Sequence, residues 1–148
     1  MKELSAAAAG ETHASLQRCF ELVAAIERYP TWYPTAVTAA EVTERNGDGL
    51  PTRANVILHV AHGVLVRDFR LKVAVQAQAP ESVSMSRIPH GPDDREELSV
   101  AWALVDGGST RIEVRMRASL SIPRFVPVGG LAESVAGGFL GAALQALD

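Results

Sequence analysis

A run of strictly alternating residues near the C-terminal end constrains the fold most. Ile112, Val114, Met116, Ala118, Leu120 and Ile122 alternate there with charged or hydroxyl-bearing residues. Because successive side chains of a strand point to opposite faces, this run predicts a strand with one dry and one solvated face. Five earlier runs of the same kind begin at Val37, and no helical pattern lies between them. An antiparallel meander is therefore predicted.

Short turn sequences separate these runs. They are Asn46-Gly47-Asp48-Gly49, Pro80-Glu81, the loop from His90 to Asp94, and Asp106-Gly107-Gly108-Ser109. Glycine, proline, asparagine and aspartate each favour tight turns for a known conformational reason. The turns therefore place hairpins between consecutive strands.

Helical patterns lie at the two ends of the chain. Near the N-terminus, Ser15 is a suitable N-cap for a helix whose apolar face is Leu16, Cys19, Phe20, Val23 and Ile26. Pro30 and Pro34 then predict a break and a short second helix or turn.

The segment from Val128 to Leu147 is small and aliphatic, with Glu133 its one charge, and it predicts a long helix against the dry sheet face. An interior helical glycine costs about 1 kcal/mol relative to alanine. Gly137, Gly138 and Gly141 are therefore expected to leave volume for an apolar ligand.

Three motifs in this order resemble those of the START-like superfamily, which includes polyketide cyclases, coenzyme Q-binding proteins and pollen-allergen-type carriers. They are Ala14-Ser15-x-x-x-x-Phe20, Ile26-Glu27-Arg28-Tyr29-Pro30-x-Trp32 and Gly108-Ser109-Thr110-Arg111. The resemblance spans essentially the whole chain. It implies one START-like domain over residues 1–148, of the α+β class and with a helix-grip fold. In that fold about seven curved antiparallel strands wrap a long C-terminal helix, and two short helices follow the first strand.

The dry faces of the strands and the final helix supply the candidate ligand-binding residues. These are His62, Phe69, Leu71, Val73, Met85, Arg87, Trp102, Met116, Val135 and Phe139.

Three of these residues have two interpretations each. His62 is a ligand contact or a histidine with an ordinary hydrogen-bond partner. Arg87 directs its guanidinium into the cavity toward a ligand oxygen, or it faces solvent at the end of its strand. Trp102 fills the core or forms part of a ligand wall. The pair His59-x-x-His62 is not predicted to bind metal, because residues three apart on a strand point to opposite faces.

Composition and charge exclude several classes. Hydrophobic residues make up 47% and charged residues 21%, which excludes a disordered chain. The formal net charge of −3 argues against a nucleic-acid partner. A group of basic residues is interpreted as a solvated convex face, because most of them occupy the solvated strand phases and acidic residues lie among them. They are Arg67, Arg70, Lys72, Arg111, Arg115 and Arg117. With Cys19 as the only cysteine and no secretory pattern at the N-terminus, a cytoplasmic protein with no integral membrane association is expected.

The leading functional hypothesis is binding or transport of a hydrophobic small molecule, such as a lipid, a quinone or an aromatic polyketide, in an internal cavity. No cofactor or metal is predicted. A cyclase-type enzyme is the second hypothesis, in which Arg87, His62 or a cavity tyrosine polarises the carbonyls of a poly-β-ketone. Tyr29 and Tyr33, the only tyrosines, are expected at the helix corner, and no nucleophile motif is visible. A regulatory or toxin-like module with a protein partner is the third.

Overall fold

Seven antiparallel strands form one curved sheet in the computed structural model, which describes residues 1–148. They are β1 (Lys2–Thr12), β2 (Val37–Arg45), β3 (Pro51–His62), β4 (Leu65–Gln78), β5 (Ser82–Arg87), β6 (Glu97–Asp106) and β7 (Thr110–Leu120). Their order is β1-β7-β6-β5-β4-β3-β2, so every neighbouring pair except β1 and β7 is consecutive along the chain. The predicted meander is confirmed.

Three helices and a 3₁₀ turn complete the fold. They are α1 (Leu16–Ala24), the turn Ile26–Arg28, α2 (Tyr29–Trp32) and α3 (Leu131–Leu147). Ser15 caps α1 as expected, since its hydroxyl oxygen accepts from the backbone N–H of Arg18 at 3.1 Å. The α+β class and the helix-grip arrangement are confirmed.

Two predicted boundaries were wrong near the C-terminus. Helix α3 begins at Leu131 rather than Val128, because Gly130 adopts a left-handed conformation with φ of +78° that a helix interior does not allow. Strand β7 ends at Leu120 rather than continuing to Ile122. The backbone N–H of Ser121 donates instead to the carboxylate of Glu96, at 3.0 Å.

The first strand has eleven residues, and it pairs with β7 along its whole length, from Lys2 opposite Leu120 to Thr12 opposite Thr110. Its concave face carries small residues, so α3 packs closely against it. A Cβ atom on Gly10 would lie 2.9 Å from Cδ1 of Leu144. The N-terminal alanine run, Ala6 to Ala9, is therefore part of a strand whose small side chains leave room for α3.

The concave face, α1 and α3 enclose one continuous hydrophobic core. None of the helices combines the length and apolar character that crossing a membrane requires.

Candidate functional site

Two apolar voids lie between the concave sheet face and α3. The first void has a volume of about 50 Å³, and twelve of its thirteen lining residues are hydrophobic. The second void, of about 20 Å³, is lined by ten residues that are all hydrophobic. Leu58, Leu98 and Val135 line both, so these three side chains form the partition between the two voids.

The structure brings seven of the ten candidate residues to these voids. Leu71, Val73, Met85, Val135 and Phe139 line the first void, and Phe69, Met116 and again Val135 line the second. Their contact with a ligand stays a prediction. His62, Arg87 and Trp102 line neither void.

The interior is almost filled by its own side chains. Pockets that hold drug-sized molecules measure roughly 300–1,000 Å³. These two voids alone therefore do not hold a ligand of that size, but a cleft of about 240 Å³ beside α3 shares Leu58, Val135 and Phe139 with the first void.

Trp102 belongs to a packed aromatic cluster behind the first void. Its side chain is 1% exposed, and its ring meets Phe139 edge to face with centroids 6.4 Å apart. Phe139 also meets Tyr33 edge to face, with centroids at 5.0 Å. Trp102 therefore fills the core, which is the first of its two interpretations.

Tyr29 is the one tyrosine that lines the first void. Its hydroxyl donates to the carbonyl oxygen of Val23 at 2.6 Å. Burial raises the pKa of this hydroxyl well above its ordinary value, and the nearby Trp102 side chain offsets only part of that rise. The hydroxyl is thus a neutral donor that holds the helix corner against α1.

The interpretation of the helix glycines as ligand clearance was wrong. Gly137 and Gly141 are exposed on the outer face of α3, where a Cβ atom would meet nothing within 4 Å. Gly138 faces inward, but the ring of Tyr33 occupies the space beside it, with Cζ at 3.2 Å from the position of a Cβ atom. The side chain of Tyr33 therefore fills the space that Gly138 leaves beside α3.

His62 anchors the loop before α3. Its Nε2 donates to the carbonyl oxygen of Gly129 at 2.8 Å, which is the ordinary hydrogen bond expected in one of its two interpretations. His59 instead contacts Asp68, with 2.7 Å between Nδ1 and Oδ1. The two imidazoles therefore hold different parts of the chain.

Arg87 is neither free in the cavity nor exposed to solvent. Its side chain is 6% exposed, and it donates to Oδ2 of Asp94 at 2.5 Å and to the carbonyl oxygen of Glu96 at 2.8 Å. Asp94 also accepts from the backbone N–H of His90 at 2.9 Å. This network folds the β5–β6 loop back against the end of β5.

Arg67 was wrongly assigned to the solvated convex face. It shares the strand phase of Phe69, and its guanidinium carbon lies 4.1 Å from the centre of that ring. It donates to both carboxylate oxygens of Glu96, at 3.1 and 3.3 Å. Sequence reasoning missed this pair, although the alternation of β4 itself places Arg67 in phase with Phe69.

The Arg67–Glu96 pair spans an interruption in the sheet. β4 has fourteen residues and β5 has six, and the β4–β5 register begins only at Val73 opposite Arg87. The start of β4 therefore has no strand partner on this side. The ion pair connects β4 to the start of β6 across that space.

Acidification is expected to weaken this network. Hydrogen bonds from Arg87 and from the His90 N–H hold the pKa of Asp94 well below its ordinary value. Burial acts to raise the pKa of Glu96, but bonds from Arg67 and the Ser121 N–H outweigh it, so that pKa is also lowered. Since both folded pKa values are depressed, the stabilisation is complete above the ordinary values of 3.8 and 4.5 and is lost as pH falls below them.

The free energy of unfolding, measured by urea denaturation between pH 6 and pH 3, should therefore decrease on acidification. Asp94→Asn should make this decrease shallower, because one of the two depressed carboxyls is gone. Asp93→Asn is the matched control, since Asp93 is exposed beside it. An equally steep decrease in the Asp94 and Asp93 variants would contradict the assignment.

Most of the lining residues that sequence reasoning missed lie on faces that it had already recognised. Val56, Leu58, Leu98 and Val100 share the dry phase of their strands and line the first void. Ile26 and Tyr29 reach it from the helix corner, which no strand periodicity reports.

Comparison with known proteins identifies one family. Residues 12–148 match the family described as polyketide cyclase / dehydrase and lipid transport. No curated protein sequence matches the chain.

Several solved structures share the fold at low sequence identity. A START superfamily protein from Mycobacterium smegmatis is 17% identical, with a TM-score of 0.77 over 97% of this chain and 96% of that one. The di-domain ARO/CYC protein BexL of the BE-7585A biosynthetic pathway is 9% identical, with a TM-score of 0.75 over 99% of this chain and 50% of that one. The Zhui aromatase/cyclase from a Streptomyces species is 13% identical, with a TM-score of 0.67 over 99% of this chain and 94% of that one.

Proposed function

Because the chain belongs to the polyketide cyclase / dehydrase and lipid transport family, we propose that it binds an apolar small molecule between the concave sheet face and α3. The ligand is a lipid, a quinone or a polycyclic aromatic molecule. It occupies the space of the two voids, which merge when the side chains that separate them move apart.

The apolar lining carries this proposal. Ser99 is the only residue of the first void that is not hydrophobic, and the second void has none. Burial of apolar surface contributes roughly 25 cal/mol per Å², so such walls favour a hydrophobic ligand without any directed polar contact. The shape of the cavity then determines which apolar ligands bind.

The lining favours a carrier over a cyclase. General acid or base catalysis requires a titratable side chain within hydrogen-bond reach of the reacting atoms. Tyr29 is the only titratable residue that lines either void, and its hydroxyl proton is engaged by Val23. The walls are therefore suited to holding a ligand.

Native mass spectrometry before and after organic extraction tests the proposal. The protein should then be titrated with palmitate, a ubiquinone analogue and a polycyclic aromatic hydrocarbon. We expect stoichiometric binding of at least one of these three. An extracted protein that binds none of them would overturn the proposed function.

Val135 offers a sharp variant because it lines both voids from α3. Val135→Trp should weaken binding at least about tenfold, since an indole fills far more volume than the voids contain. Gln145→Trp is the matched control, because it adds the same side chain at an exposed position of the same helix that lines neither void. Equal affinities of the two variants would place the ligand outside the interior.

A further inference from the structure

The cleft beside α3 lies on the same concave side of the sheet as the two voids. Its volume is about 240 Å³, and we call it the side cleft. Leu58 and Val135 line the side cleft and both voids, so these two side chains stand between all three spaces. Because Leu58 has the dry phase of β3, the connection needs no passage through the sheet. Together with the voids, the side cleft approaches the lower end of the volumes of ligand pockets, roughly 300 Å³.

One wall of the side cleft is an unpaired edge of β3. Strand β2 begins opposite Leu58, whereas β3 continues to His62. The backbone groups of successive residues in an antiparallel strand point alternately to its two neighbours. The N–H of His59 points away from β4, since it donates to the carbonyl oxygen of Ala36 at 2.7 Å. Two residues along, the N–H and the carbonyl oxygen of Ala61 therefore face the same side, where no strand pairs with them.

The side cleft offers hydrogen bonds but no free charge. No lysine, arginine, aspartate or glutamate side chain lines it, and its polar side chains are Tyr33, Thr35, His59 and Ser134. The imidazole of His59 is engaged by Asp68, with 2.7 Å between Nδ1 and Oδ1. Burial raises the pKa of Tyr33 above its ordinary value, so its hydroxyl stays neutral. An ionised head group would therefore lose water here without gaining a charged partner.

We infer that the side cleft binds the uncharged polar end of an elongated apolar ligand, whose chain extends between Leu58 and Val135 into the voids. For the position of the chain, this inference rests on the proposed function. The ligand is a long-chain alcohol or another apolar molecule that ends in a hydroxyl group. That hydroxyl accepts from the N–H of Ala61 and donates to the carbonyl oxygen of the same residue, in place of a strand partner.

Two ligands with the same chain test the role of the hydroxyl. Decanol and decyl methyl ether are titrated into the extracted protein by isothermal calorimetry. The ether donates no hydrogen bond and is the more apolar of the two, so a purely apolar cavity favours the ether. We expect decanol to bind at least about threefold more tightly, the effect of one hydrogen bond. Equal affinities, or tighter binding of the ether, of decanoate or of decyltrimethylammonium, would overturn the inference.

Ala61→Pro removes the backbone donor that the inference invokes. Proline is tolerated on a strand edge whose N–H makes no ladder hydrogen bond. The substitution should weaken decanol binding at least about threefold and leave the binding of a polycyclic aromatic hydrocarbon unchanged, because the hydrocarbon has no polar end. Ala61→Val is the matched control, since it enlarges the exposed side chain and keeps the N–H. Equal decanol affinities of the two variants would also overturn the inference.

The same hydrocarbon separates this inference from the proposed function. If it binds and Val135→Trp blocks it, but decanol and its ether bind equally, only the assignment of the side cleft fails. If the extracted protein binds none of the hydrocarbon, decanol and the ether, both proposals fail together. The comparison of decanol with its ether uses the unsubstituted protein, so it decides even where Ala61→Pro does not fold.

Discussion

Replacing Phe139 with alanine should lower the free energy of unfolding by about 3–5 kcal/mol, the range for deleting a buried phenylalanine. The ring is 5% exposed. It contacts Tyr29, Tyr33 and Trp102, so its removal strips three aromatic partners at once. Urea denaturation followed by circular dichroism measures the change.

Phe125→Ala is the matched control for this prediction. The ring of Phe125 is 86% exposed in the loop before α3, so the same deletion should change the free energy of unfolding by no more than about 0.5 kcal/mol. A loss below about 1 kcal/mol for Phe139→Ala would show that α3 repacks readily and that the aromatic cluster does not fix its position.

Strand periodicity was sufficient to predict the sheet because one face of it is dry. Along β7 every second residue from Thr110 to Leu120 is buried, and a shift of one residue would expose all of them. Only one strand register therefore keeps all of these residues buried. The N-terminal alanine run has no such contrast between its two faces, and only the approach of α3 to Gly10 explains why small residues stand there.

The candidate site was less predictable because its polar residues are fixed by partners distant in sequence. Arg87 and Arg67 are both in phase with apolar residues, and phase alone aims both guanidinium groups at the interior. The β5–β6 loop decides otherwise, since Asp94 and Glu96 fold back to pair with them. Loop geometry of this kind leaves no periodic signal.

The roles of the glycines in α3 could not be predicted from the sequence either, and their positions lead to a second prediction of a large change in stability. Sequence places Gly137 and Gly138 side by side with no means of ranking them. In the structure a Cβ atom on Gly138 would overlap the hydroxyl oxygen of Tyr33 and lie 3.2 Å from its Cζ, whereas one on Gly137 would meet nothing. The Tyr33 ring cannot tilt freely, because Trp32 stacks on it and Phe139 meets it edge to face.

Alanine substitutions at these neighbours should therefore act in opposite directions. Gly137→Ala should raise the free energy of unfolding by about 0.5–1 kcal/mol, the usual gain inside a helix. Gly138→Ala should lower it by about 1–3 kcal/mol, because the added methyl overpacks the core against Tyr33. In a Tyr33→Phe background the overlapping hydroxyl is gone, and most of the Gly138→Ala loss should disappear. A double-mutant cycle measured by urea denaturation gives the coupling, and additive effects in that cycle would show that the Tyr33 hydroxyl is not what opposes a side chain at position 138.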